Sequence, residues 1–78
     1  GDNMKTTNLN IKSNLIKKAE FGNSTLYVEE TNGDKFKYEY FDAAGAVAFR
    51  DSKDPDEHYT QFIRDSSFYT KIRSNNPT

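Results

Sequence analysis

The chain contains no cysteine and no tryptophan, one methionine, two prolines and a single histidine, His58. Without cysteine it can form no disulfide, no thiolate metal site and no cysteine nucleophile, so the fold must rest on packing alone. A two-histidine metal site or a histidine acid–base pair needs more than His58, and no Gly-x-Ser-x-Gly elbow is present. No apolar run has the length of a membrane span or of a signal-peptide core. An excess of positive charge is missing too: 11 Lys and Arg stand against 12 Asp and Glu, a net charge of −1. That balance argues against strong polyanion binding, which usually rests on a strongly basic surface. Asp51, Asp54, Asp56 and Glu57 do not make a calcium loop, because Ser52, Lys53 and Pro55 stand where alternate ligands and a glycine are required. No metal, cofactor or catalytic residue is therefore expected, and no membrane partner.

What the chain does have is aromatic side chains. Only 33% of its 78 residues are hydrophobic, but six Phe and five Tyr place much apolar area in few positions. Each such ring buries about 150 to 250 Å², whereas a chain of this length buries only about 60% of its unfolded surface. One small domain with an aromatic core follows. Residues 1–8 and 73–78 are polar and without periodicity and are expected to be disordered tails, leaving a domain over 9–72. The chain starts at Gly1 with Met4 inside it, so a removed leader or a tag scar stays open, and cytoplasm is the favoured compartment.

Leu9 to Ile11 is a candidate short strand, and Leu15 to Phe21, Thr25 to Glu30 and Lys35 to Phe41 are stronger ones. Gly22-Asn23 reads as a two-residue hairpin turn. Thr31-Asn32-Gly33 reads as a type I turn closed by a glycine in the left-handed region. A three-residue loop pairs Val28 with Phe36 and Leu26 with Tyr38 on one face, and Glu29 with Lys35 and Tyr27 with Lys37 on the other; a two-residue loop would mix the faces. Carried across Gly22-Asn23, this register gives inner rows of Ala19, Leu26 and Tyr38, then Phe21, Ser24 and Tyr40. It leaves Lys17 inside beside Val28, a misfit that snorkelling or a bulge would remove. Asp42 caps a helix over Ala43 to Arg50 anchored by Val47 and Phe49. Asp54, Pro55 and Glu57 start a second helix that turns Tyr59, Phe62 and Ile63 to the sheet. Phe68 to Ile72 is expected to be a last strand or an extended segment. The whole is an α+β domain: an antiparallel meander of three to four strands with two helices packed on one face.

Tyr38-Glu39-Tyr40, following Thr25-Leu26-Tyr27-Val28 and a glycine turn, resembles the centre of the KTSC domain. That is a small bacterial and phage module named for its place at the C-terminus of some lysyl-tRNA synthetases. Ser13-Asn14-Leu15-Ile16 resembles its start, and Ser52, Tyr59 and the Ile63-Arg64 pair resemble its later segment. The chain departs from the family at Thr60, where asparagine is usual, and in Lys53-Asp54-Pro55-Asp56, where a small loop with glycine is expected. The resemblance implies a domain without established activity, for which RNA binding has been suggested from the synthetase connection alone.

Two surfaces stand out. In the register read from the turns, Lys18, Tyr27 and Lys37 form one outward row, an aromatic ring between two cations, which could stack a base and hold its phosphates. Tyr40 and Arg64 could line a groove between sheet and helix. His58 is given no role. The expected function is that of a non-catalytic interaction module binding an unknown protein partner; the alternative is weak RNA or tRNA binding through Lys18, Tyr27 and Lys37.

Overall fold

The computed structural model describes residues 6–66 and 69–73; of the segments expected to be disordered, 1–5 and 74–78 lie outside them. The described residues form a five-stranded antiparallel sheet in the order β1-β2-β3-β4-β5 and two helical elements. The strands are β1 (Thr7–Asn8), β2 (Ile16–Gly22), β3 (Thr25–Glu30), β4 (Lys35–Glu39) and β5 (Thr70–Arg73). Between β4 and β5 lie α1 (Ala43–Arg50) and α2 (Pro55–His58), the latter running on into a π-helical segment, Tyr59–Arg64. The α+β class and the sequential meander are those read from the sequence, and short edge strands at or beside the candidate segments at both ends bring the sheet from the expected three to four strands to five.

β1 precedes the expected Leu9 to Ile11 strand and uses residues assigned to the frayed tail. Leu9 is buried and its amide still reaches the Ala19 carbonyl at 2.9 Å, but Asn10 adopts φ 56° and turns the chain off the sheet. β5 likewise takes in Arg73 from the expected C-terminal tail; Phe68, placed in the same strand by the sequence, lies outside the described residues.

The β3–β4 register is the one the three-residue loop predicts: Val28 faces Phe36, Leu26 faces Tyr38 and Tyr27 faces Lys37. Gly33 holds φ 98°, its amide meets the Glu30 carbonyl at 2.9 Å, and Asn32 accepts from the Asp34 amide at 2.9 Å. The β2–β3 register differs. The turn is Asn23-Ser24, with φ 54° and 58°, one residue beyond the expected pair. Two successive left-handed residues make the turn whose twist suits a hairpin, so Gly22 stays in the strand opposite Thr25 and Ala19 faces Val28, not Leu26. Moving the turn by one residue keeps the alternation of faces but slides each partner by two. A bulge between Ile16 and Lys18 then removes the Lys17 misfit, since Ile16 is buried and Lys17 exposed.

Ser24 carries the cost of that turn, because an L-residue in the left-handed region is strained where glycine is not. Ser24→Gly is expected to stabilise the domain by about 0.5 to 1 kcal/mol, read as a raised thermal midpoint; an unchanged or lowered midpoint would contradict the turn assignment.

Both helix starts form where the sequence puts them. Asp42 accepts from the Gly45 amide at 2.7 Å, and Asp54 accepts from the Glu57 amide at 3.2 Å with Pro55 behind it. Two of the expected anchors lie elsewhere. In α1, Ala46 and Phe49 face the core and Val47 is 46% exposed, since the helix is short and residues 46 and 49 share its inner stripe. Phe62 is 59% exposed while Tyr59 and Ile63 are buried. The winding explains this: an α-helix has about 3.6 residues per turn and brings both the third and fourth residue back to one face, whereas π winding needs more, keeping Ile63 inward and carrying Phe62 round the side.

Candidate functional site

The buried polar residues of the core form one chain. Leu26, Val28 and Glu30 alternate inward along β3, so Glu30 enters the interior at the strand's end and is 7% exposed. Tyr38 points inward from β4, and the π-helical segment lowers Tyr59 onto it, ring against ring edge-on at 6.0 Å. The Tyr59 hydroxyl donates to Glu30 Oε2 at 2.6 Å, and the two hydroxyls of Tyr38 and Tyr59 lie 2.7 Å apart. Because Tyr59 spends its proton on the carboxylate, Tyr38 must be the donor of the second bond. Arg64 completes the set, with its guanidinium 5.7 Å from the Tyr59 ring centroid and Nη1 3.8 Å from Glu30 Oε2.

Burial pushes the Tyr38 hydroxyl up to about 12, and the nearby Glu30 charge adds to it. Tyr59 is raised further, first by burial and then by its bond to Glu30, which exists only while the phenol keeps its proton. Neither ring is poised to lose a proton near neutrality. No buried side-chain nitrogen or oxygen among the described residues lacks a hydrogen-bond partner. The network is closed, and its chemistry is that of a specified core.

The expected groove of Tyr40 and Arg64 is not formed. Tyr40 adopts φ 64°, leaves the strand and is 76% exposed, in a shallow hollow with Asn23, Ser24 and Glu39. The reversed backbone at Tyr40 breaks the alternation and turns Phe41 inward, onto Phe21 at 6.0 Å and Tyr69 at 4.7 Å. Arg64 works beside Glu30, at the opposite end of β4 from Tyr40. The expected inner row of Phe21, Ser24 and Tyr40 is replaced by Phe21, Leu26 and Tyr38.

The outer row is also changed. Tyr27 and Lys37 are neighbours as expected, but the slid register sets Glu20, not Lys18, on the other side of Tyr27. Lys18 instead faces Glu29 and pairs with Glu20 at 3.2 Å, and Lys17 lies 3.8 Å from Glu29. β5 adds Ile72 beyond Lys37 and β1 adds Asn8 beyond Glu20, so the complete row reads Asn8, Glu20, Tyr27, Lys37, Ile72.

Two further polar places serve the fold. Ser13 donates to Asp56, and its oxygen accepts from the Leu15 and Ile16 amides at 2.9 and 3.0 Å, tying the loop before β2 to the start of α2. The Ser13 bond foremost, and the Asn14 amide donating to the same carboxylate at 3.1 Å, hold Asp56 below the ordinary carboxylate range. His58 stacks on Phe49 at 5.6 Å and touches Phe62 at 5.2 Å, and burial lowers its pKa. Among the described residues no group of three or more His, Cys, Asp or Glu side chains could hold a metal ion, and no helix is long and apolar enough to cross a membrane.

Sequence reasoning missed Glu30. Its signal was present, as an acid at an inward position of a strand that otherwise alternates cleanly. No family model, curated protein or solved structure matches the chain.

Proposed function

We propose that the domain is a non-catalytic, KTSC-like interaction module that binds a protein partner across its open sheet face. The observation that carries this reading is the row Glu20, Tyr27, Lys37, Ile72. An aromatic and an aliphatic side chain flanked by one acid and one base are suited to a protein surface, where tyrosine supplies area and paired charges fix register. A polyphosphate would need cations on both sides of the ring, and Glu20 occupies one of them. The residues that carry the KTSC resemblance support the same reading from within: Tyr38, Tyr59 and Arg64 are committed to the closed core network. Weak RNA or tRNA association through Lys18, Tyr27 and Lys37 is the competing proposal.

The test is a photo-crosslinking amino acid placed at Tyr27, used in extract of the native host. The expected product is a protein adduct that survives nuclease, persists at raised salt and is lost in Ile72→Asp. A nuclease-sensitive adduct, together with amide shifts at Lys18, Tyr27 and Lys37 on adding single-stranded RNA that fade with salt, would replace this reading with the RNA one.

A further inference from the structure

We infer that the outer edge of β5 accepts an extended acidic segment of the partner as a sixth strand, an inference that rests on the protein-binding reading. β5 ends the sheet, all four of its residues are exposed, and no further strand among the described residues pairs with it. At the other edge β1 has only two residues. An open strand edge offers alternate backbone N–H and C=O groups and is a template for strand addition.

The side chains on β5 decide what can pair there. Ile72 faces outward beside Lys37, while Lys71 and Arg73 fall on the inner side, opposite Tyr38 and Phe36. There the Lys71 ammonium lies 4.4 Å, and the Arg73 guanidinium 5.9 Å, from the centroid of the Phe36 ring. Arg73 is partly neutralised by Asp34 at 2.7 Å, whereas Lys71 has no ion-pair partner among the described residues. Two cations two positions apart repel a basic strand, and they repel a second copy of β5. The same pair selects a strand with carboxylates at both positions and, because Ile72 lies between them, an apolar residue in the middle. Acid, apolar, acid reads the same in both directions, so the pattern holds for parallel and antiparallel addition alike. The 78 residues contain one pair of acids with a single residue between them, Asp54 and Asp56. Pro55 stands between those two and both cap or tether α2, so these 78 residues do not themselves supply the segment.

The probe is a synthetic peptide alternating Val and Glu, with a Val and Lys peptide as its control, each added to millimolar concentration to the isotope-labelled domain. With the Glu peptide, amide shifts and slowed hydrogen exchange are expected at Thr70–Arg73, with binding weakened about tenfold or more in Lys71→Glu/Arg73→Glu. Equal binding of the Lys peptide, or no response of β5 to the Glu peptide, would overturn strand addition without reliance on the variant. Either failure leaves the protein adduct at Tyr27 standing, whereas a nuclease-sensitive adduct at Tyr27 removes the protein-binding reading whatever β5 does.

Discussion

Tyr38→Ala is expected to destabilise the domain by about 3 to 5 kcal/mol, a loss read as a steep fall in its thermal midpoint. Tyr38 is fully buried, packs on Tyr59 at 6.0 Å and on Phe36 at 6.3 Å, and sits at the centre of the sheet's inner face. A domain of this size has a total stability of about 4 to 12 kcal/mol, so an emptied aromatic site removes much of it, and no disulfide compensates. Two milder variants separate packing from hydrogen bonding. Tyr38→Phe removes only the terminal donor of the chain and should cost about 1 kcal/mol or less. Tyr59→Phe removes the middle link, leaving the Tyr38 hydroxyl without its acceptor and Glu30 with only the more distant Arg64, and should cost about 2 kcal/mol. Thermal unfolding by circular dichroism should rank the three in severity as Tyr38→Ala, then Tyr59→Phe, then Tyr38→Phe. A larger loss of stability in Tyr38→Phe than in Tyr59→Phe would reverse the assigned direction of the bonds.

The elements that were legible in the sequence are those set by local chemistry. Asp42, Asp54 and Pro55 announce helix starts because capping and proline geometry act within one turn. Gly33 fixes the β3–β4 register because only one loop length puts Leu26, Val28, Phe36 and Tyr38 on one face. The misreadings share a different cause, backbone conformations that the residue types do not advertise. Ser24 and Tyr40 hold positive φ without being glycine, the first because the hairpin twist demands it and the second because Phe41 gains a buried place by it. The π winding after His58 is equally silent in a pattern of Tyr59, Phe62 and Ile63 that suits an α-helix. One such shift, a single residue at Asn23-Ser24, was enough to exchange Lys18 for Glu20 beside Tyr27 and so to alter the chemistry of the candidate surface.

The same buried phenols make the domain sensitive to base. In the unfolded chain a tyrosine ionises near its ordinary value of about 10, whereas Tyr38 in the folded domain does so at about 12 and Tyr59 above that. Both folded values are raised, so the folded state holds protons that the unfolded state has lost. Their stabilising contribution is therefore fully present below about pH 10 and falls as the pH rises toward the folded values. Glu30 adds to this, since an ionised Tyr59 could no longer donate to it and would set two negative oxygens in contact in the core. The expected result is cooperative unfolding on the alkaline side between pH 10 and 12, with absorbance of the two buried phenolates appearing together with loss of the near-ultraviolet dichroism. Tyr59→Phe should make that alkaline loss shallower, even though the variant is less stable at neutral pH. Ionisation of all five tyrosines as free phenols, with the fold intact, would contradict the buried network.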